Sequence, residues 1–220
     1  MLWEDREIES LVFDRRSLKA LSRIIKKGII TEIVGKIAEG KEAAVFLATR
    51  EGQERVIKIY KPETSRFFNS RKKYINREYN SDFEIAVAYA RKEFKNLEIA
   101  YTTIHDVPVP IYQEDNIIVM SFLGENRIPY PKLHDIKTKD ERWFDELLDK
   151  IYRLFRAGYI HGDLSEYNIL VGDRLYIIDF GQSVRFDPKL VDLLTRDVSN
   201  LGRIFHRDVT GVVDRWISEL

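Results

Sequence analysis

Along the first part of the chain, apolar residues recur at helical spacing: Leu18, Leu21, Ile24 and Ile25 follow Asp14 and close on Lys26, Lys27 and Gly28. A carboxylate ahead of such a stripe, with lysines and a glycine behind it, predicts a helix of about three turns. From Ile29 the pattern changes. Ile29, Ile30, Ile33, Val34 and Ile37 lead into Val45, Phe46 and Leu47, and past a polar turn at Gly52 come Val56, Ile57 and Ile59. These read as at least three antiparallel strands joined by tight turns. Helical spacing returns from Phe83 to Tyr101 through Ala86, Ala90, Phe94 and Leu97, with Ser81 or Asp82 as the N-cap. Pro108 and Pro110 break that pattern. The run Ile117, Ile118, Val119 and Met120 then predicts a buried strand, which leads into Ser121, Phe122, Leu123 and Gly124, a connector able to hinge two lobes.

In the second half, Thr138 and Glu141 have capping-box spacing ahead of a stripe of Phe144, Leu147, Leu148, Ile151, Leu154 and Phe155 that ends at Gly158. A core helix is expected there. Ile169 to Val171 and Leu175 to Ile178 flank Gly172-Asp173, which predicts a hairpin whose turn uses positive backbone dihedrals. Two amphipathic segments follow, one through Leu190, Leu194, Val198, Leu201 and Phe205, the other through Val209, Val213, Trp216 and Leu220. The amino-terminal half is therefore sheet plus a helix and the rest mostly helical, with no internal repeat or low-complexity segment.

Composition narrows the class. With 44% hydrophobic and 12% aromatic residues in a 220-residue chain, one large domain or two small lobes can bury a core. The 36 basic and 36 acidic side chains cancel, so the whole molecule is no general polyanion binder, and no DNA partner is expected. There is no cysteine for disulfides or zinc. No segment resembles a signal peptide or a membrane span, which makes the cytoplasm the expected location.

The chemistry lies in three places. Asp163 follows the strand-like Tyr159-Ile160 in His161-Gly162-Asp163, and Asn168 comes five residues later, so one loop can hold a catalytic carboxylate and a magnesium-binding amide. Asp179 follows Tyr176-Ile177-Ile178 and precedes Phe180-Gly181, where its carboxylate can meet the same metal. Either aspartate alone reads as a turn residue; together they point to phosphoryl transfer, which needs metal ligands, a cation on the phosphates and a carboxylate to orient the attacking hydroxyl. Lys58, between Ile57 and Ile59, either faces solvent or enters the site as the cation; its order relative to the later motifs is that of the strand lysine that contacts ATP phosphates, with Glu93 as its helical partner or else part of a solvated helix face, and Glu98 as the weaker substitute. Gly40-Lys41-Glu42-Ala43 would lay backbone amides and Lys41 over the phosphates, although a plain hairpin turn has the same composition. The Ser121 carbonyl and Leu123 amide are the candidate adenine contacts, and Met120 reads as core.

Gly40-Lys41-Glu42-Ala43, Lys58-Ile59-Tyr60, Asp163-Leu164-Ser165-Glu166-Tyr167-Asn168 and Ile178-Asp179-Phe180-Gly181-Gln182-Ser183-Val184 together resemble the RIO family of atypical serine/threonine protein kinases, from about Ile29 to Phe205. Leu194-Thr195-Arg196-Asp197-Val198-Ser199-Asn200 adds to the resemblance, and the short stretch ahead of the sheet suggests the RIO-one type in an archaeal-like minimal form. The resemblance implies an α+β, bilobal protein-kinase-like fold: an amino-terminal helical extension over residues 1–28, an antiparallel-sheet N-lobe over 29–122 with a basic insertion near 61–80, and a truncated, mostly helical C-lobe over 123–220. It implies ATP with Mg2+, or Mn2+ in its place, and serine autophosphorylation or ATP hydrolysis through a phosphoaspartate at Asp179. Lys58 and Glu93 would form the ion pair, Asp163 would be the catalytic aspartate, and Asn168 and Asp179 the metal ligands. The implied setting is maturation of the small ribosomal subunit, with its precursor, RNA or proteins as partner and no membrane.

Ala38 and Glu39 depart from the serine and threonine usual before the family's glycine, which removes a hydroxyl and adds a negative charge near the triphosphate. Gly162 stands where regulated kinases place an arginine that grips an activation-loop phosphate, so no switch of that kind is expected. The stretch after Asp179 is too short for the peptide-binding subdomain of ordinary protein kinases. From Lys61 to Arg77 six basic side chains and one acidic one interleave with Phe67, Phe68 and Tyr74, which suits RNA phosphates and bases or a solvated insertion. Aminoglycoside-type phosphotransferases share the aspartate motifs but need a larger helical part. The kinase-like ATPase subunit of the KEOPS tRNA-modification complex is the nearer rival, and a nucleotide-dependent scaffold with little turnover is the reading from another class.

Overall fold

In a computed structural model, which describes residues 14–62 and 81–220, the chain divides into two units. The first takes residues up to Phe94 together with Val109–Phe122; the second takes Lys95–Pro108 and Leu123–Leu220. The basic, aromatic-rich stretch beyond Pro62 falls outside the described residues, as do Phe67, Phe68 and Tyr74.

The first unit is built on a five-stranded antiparallel sheet. Its strands are β1 (Glu32–Glu39), β2 (Ala43–Arg50), β3 (Gln53–Tyr60), β4 (Pro110–Glu114) and β5 (Ile117–Ser121), in the order β1-β2-β3-β5-β4. Helix α1 (Arg15–Lys26) begins where the Asp14 carboxylate accepts from the Arg16 N–H at 3.0 Å. Its buried residues are Ser17, Ala20, Leu21 and Ile24, whereas Ile25 is exposed, so the small residues Ser17 and Ala20 let the helix sit close to the sheet. Ala20, Leu21 and Ile24 join Ala44, Phe46, Ala48, Ile57, Ile59, Ile117 and Val119 in one cluster. Alternation along β3 then sends Lys58 and Tyr60 to the opposite face. β4 is a strand that the sequence pattern hides behind its prolines: Pro110 is its first residue and β4 is an edge strand, where the missing N–H costs no ladder bond.

Helix α2 (Asp82–Ile104) starts with the Ser81 hydroxyl accepting from Glu84 N–H and continues from the first unit into the second. The second unit adds short strands β6 (Gly124–Glu125) and β7 (Ile128–Pro129), helix α3 (Arg142–Arg156), strands β8 (Tyr159–Ile160), β9 (Ile169–Val171), β10 (Leu175–Ile177) and β11 (Val184–Arg185), and helices α4 (Val191–Phe205) and α5 (Val212–Ser218). The β9–β10 and β8–β11 pairs are antiparallel. The expected capping box at Thr138 is not formed. The Asp140 carboxylate accepts from Arg142 N–H at 2.9 Å, because a carboxylate two residues ahead of the first turn reaches an orphan donor directly. The stripe of α3 is buried as expected except for Leu148, which is half-buried, and it also contains Lys150, only 3% exposed, which donates to the Leu175 carbonyl at 2.7 Å and pairs with Asp106 at 3.2 Å and with Glu146. The β9–β10 turn does not use positive dihedrals at Gly172 or Asp173. Gly172 is required for space: a Cβ there would lie 2.4 Å from the Tyr130 ring.

Candidate active site

In the first unit, Lys58 Nζ meets Glu93 Oε1 at 2.8 Å, and both side chains are largely buried. Tyr60 donates its hydroxyl to the other Glu93 oxygen, and the Lys58 ammonium lies 5.3 Å from the centroid of the Tyr60 ring. A buried carboxylate needs such partners on both oxygens, since leaving either unmet costs on the order of 1–3 kcal/mol. Glu98, the weaker substitute, is exposed. The Lys58–Glu93 pair is thus held on the sheet face away from α1.

The β1–β2 turn carries Gly40, Lys41 and Glu42. Gly40 N–H donates to Ala43 O at 2.9 Å and the Glu42 carbonyl accepts from Lys61 N–H at 2.9 Å, while Lys41 is exposed. The extra negative charge at Glu39 is met locally: Lys61 and then Lys36 hydrogen-bond its carboxylate and hold its pKa below the ordinary value. Lys61 also donates to the Gly40 carbonyl at 3.2 Å, tying the end of β3 to the turn. Where β5 ends beside the edge strand β4, Ser121 exchanges two bonds with Val109, its N–H donating to Val109 O and its hydroxyl accepting from Val109 N–H. Met120 is core. Leu123, in the second unit, accepts from Tyr130 N–H through its carbonyl.

The second unit joins Asp163, Asn168 and Asp179 through a set of short links. The Asn168 amide nitrogen donates to Asp163 O at 2.8 Å, which turns the amide oxygen away from that carbonyl. The Asn168 carbonyl accepts from Ile178 N–H at 2.9 Å, placing the residue before Asp179 against the loop. His161, 1% exposed, spans the same two segments: its Nδ1 accepts from Asp163 N–H at 3.3 Å, so its Nε2 carries the proton and donates to Ile178 O at 3.2 Å. Its ring stands edge-on to Phe180, centroids 5.0 Å apart. Asp163 and Asp179 are exposed, and Asp179 lies in the left-handed region at φ 66° ahead of the short turn Phe180–Gln182.

Helix α4 grips this loop from below. Asp197 is fully buried and accepts from Gly162 N–H at 2.7 Å and Leu164 N–H at 3.1 Å, Arg196 donates to Gly162 O, and Asn200 donates to Leu164 O at 2.9 Å. Sequence reasoning assigned these residues no role. A signal existed: Asp197 lies on the stripe of Leu194, Val198 and Leu201, and a charge on a buried face needs partners. Gly162 itself has φ 82°, and a Cβ there would stand 2.8 Å from the Gln182 carbonyl oxygen. No side chain, and so no arginine, fits at this position.

Two carboxylates and an amide oxygen are hard donors suited to Mg2+, which keeps water and substrate phosphate oxygens in its remaining positions. Among the described residues no group of three or more His, Cys, Asp or Glu side chains is placed to enclose a metal.

An antiparallel sheet bearing a lysine–glutamate pair, with a helical unit whose loops carry Asp163, Asn168 and Asp179, defines the protein-kinase-like class. A crystal structure of the Rio2 kinase ADP/Mg2+-phosphoaspartate complex from Chaetomium thermophilum superimposes with a TM-score of 0.72 at 27% identity, over 87% of this chain and 61% of that one. The RIO domain matches residues 44–215. The RIO-type serine/threonine-protein kinase Rio1 of Methanocaldococcus jannaschii is 37% identical over 93% of this chain and 73% of its own length. Human serine/threonine-protein kinase RIO1 is 34% identical over 95% of this chain, which spans only 39% of the human protein. The chain belongs to the RIO family of serine/threonine-protein kinases.

Proposed function

We propose that this chain is an ATP- and magnesium-dependent atypical serine/threonine kinase and ATPase that acts in the cytoplasm on the maturing small ribosomal subunit. The observation that carries the reading is the tie between the two aspartate segments: Asn168 and His161 each bond both to the Asp163 loop and to Ile178, the residue before Asp179. Asn168 and Asp179 would hold magnesium, which supplies charge neutralisation on the phosphates; Mn2+ has the same preference for oxygen donors. Lys58, kept in place by Glu93, would meet phosphate oxygens, and the Gly40-Lys41-Glu42 turn would cover them. Ser121 and Leu123 would offer backbone groups to adenine. Asp163 would accept the proton of an attacking serine hydroxyl. In the ATPase course, an Asp179 oxygen attacks the γ-phosphorus, the bond to the β-phosphate oxygen breaks, ADP leaves, and water then hydrolyses the acyl phosphate. That a relative was crystallised as an ADP/Mg2+-phosphoaspartate complex supports this course. The domain reading is a helical extension over 1–28, an N-lobe over 29–122 and a C-lobe over 123–220.

The test is incubation with γ-labelled ATP and Mg2+, comparing the parent with Asp163→Ala and Asp179→Asn. The parent should release phosphate and take up label, part of it labile to hydroxylamine. Asp179→Asn should lose the hydroxylamine-labile part and Asp163→Ala the acid-stable serine label. A parent that neither takes up label nor releases phosphate overturns the enzyme reading.

A further inference from the structure

Helix α2 buries polar groups on its apolar stripe. Ala86, Ala90, Glu93, Leu97 and Ala100 line one side, and Asn96, 8% exposed, lies among them one turn beyond Glu93. Glu93 has its partners in Lys58 and Tyr60. Asn96 uses its amide nitrogen differently: the two hydrogens of Nδ2 go to the Phe180 carbonyl at 3.1 Å and the Ser183 carbonyl at 2.8 Å. Those are the first residue of the short turn Phe180–Gln182 and the residue that closes it.

Within the turn, the Ser183 N–H donates to the Phe180 carbonyl at 3.1 Å. The residue before it, Asp179, has a Cβ and sits in the left-handed region, a conformation that costs about 1–2 kcal/mol and persists only where the surroundings enforce it. Asn96 is part of those surroundings, bonded to the turn at both ends. By clamping both ends of the turn it fixes where the chain goes after Asp179, and hence the direction of the Asp179 carboxylate. Ser183 extends the clamp, its hydroxyl donating to His161 O at 3.0 Å.

We infer that Asn96 is a positioning residue for metal binding: it sets the Asp179 carboxylate through the Phe180–Gln182 turn without touching the ligand. The inference rests on the proposed role of Asp179 as a magnesium ligand. An Asn at this place is required for its two donor hydrogens. Leucine would keep the volume and give neither, and aspartate would set a carboxylate against two carbonyl oxygens.

The experiment measures ADP affinity by calorimetry in the presence and absence of Mg2+ for the parent, Asn96→Leu, Asn96→Asp, Asp179→Asn and the double variant Asn96→Leu/Asp179→Asn, with the melting temperature of each. Loss of a group that orients a metal ligand lowers metal affinity by about 10–100-fold. The Mg2+-dependent gain in ADP affinity should therefore fall about tenfold or more in both Asn96 variants, while ADP affinity without metal stays at the parent value. In the double variant it should fall no further than in Asp179→Asn, because the two residues act through one carboxylate. A residue that merely stabilises the fold would lower the melting temperature and leave the Mg2+-dependent gain intact. That outcome in the Asn96 variants, with the gain lost in Asp179→Asn, overturns the inference and leaves the magnesium reading standing. An unchanged gain in Asp179→Asn overturns the magnesium reading itself.

Discussion

Glu93 has both of its oxygens engaged inside the first unit, and this makes the roles of its two partners separable. Lys58→Met removes the partner proposed to meet a phosphate, and should lower turnover by about 100-fold, as for loss of a single electrostatic contact in other active sites. Tyr60→Phe keeps the ion pair and removes one buried hydrogen bond, so it should cost about 1–2 kcal/mol in urea unfolding and far less in turnover. Equal turnover losses in the two variants would contradict this division. The contrast also explains what could be read from sequence at this scale. Lys58, Glu93, Asp163, Asn168 and Asp179 stand out because their order and spacing match the pattern that phosphate and metal chemistry requires of the proposed site. Tyr60, His161, Asp197 and Asn96 do not, because three of them serve backbone atoms far along the chain and the fourth serves a carboxylate 33 residues away.

Helices α1 and α4 are each fastened by carboxylates. Glu114, at the end of β4, is held at about 2, well under the usual carboxylate range of 4.5, by Lys27 first and then, against the opposing effect of burial, by Arg23 and Tyr112. The folded value lies below the unfolded one, so this stabilisation is complete above about pH 4.5 and disappears as pH falls toward about 2. Glu114→Gln should accordingly be less stable than the parent at pH 7 and converge with it near pH 2, read from urea midpoints across that range. Asp197→Asn sets an amide donor where an acceptor is needed; it should cost on the order of 2–3 kcal/mol in denaturant unfolding and reduce turnover as well, since the loop it holds carries Asp163. The long apolar stripes of α2, α3 and α4, the alternation in β3 and the apolar runs of β2 and β5 were legible because each buries a continuous face. β4 was not, since two prolines mask an edge strand, and the start of α3 was not, since Asp140 competes with Thr138 for the same orphan N–H groups.

For the molecule as a whole, binding of Mg2+ with ADP should add stability by mass action, about 2.7 kcal/mol at a ligand concentration one hundred times the dissociation constant. Thermal unfolding with ADP and Mg2+ should show this in the parent and much less of it in Asp179→Asn. Charge reversal at Arg71, Lys72 and Lys73 should weaken binding to small-subunit RNA at low salt if the basic stretch meets phosphates, and unchanged binding would remove RNA from its partners. The hold of α4 on the loop below Asp163 has a further consequence. Loop amides ordinarily trade their hydrogens with solvent quickly, yet those of Gly162 and Leu164 are bonded to a carboxylate on the buried face of a helix. They should exchange as slowly as the core amides of α4, in one cooperative step, so the loop that presents an exposed aspartate to solvent has the lifetime of the helix beneath it.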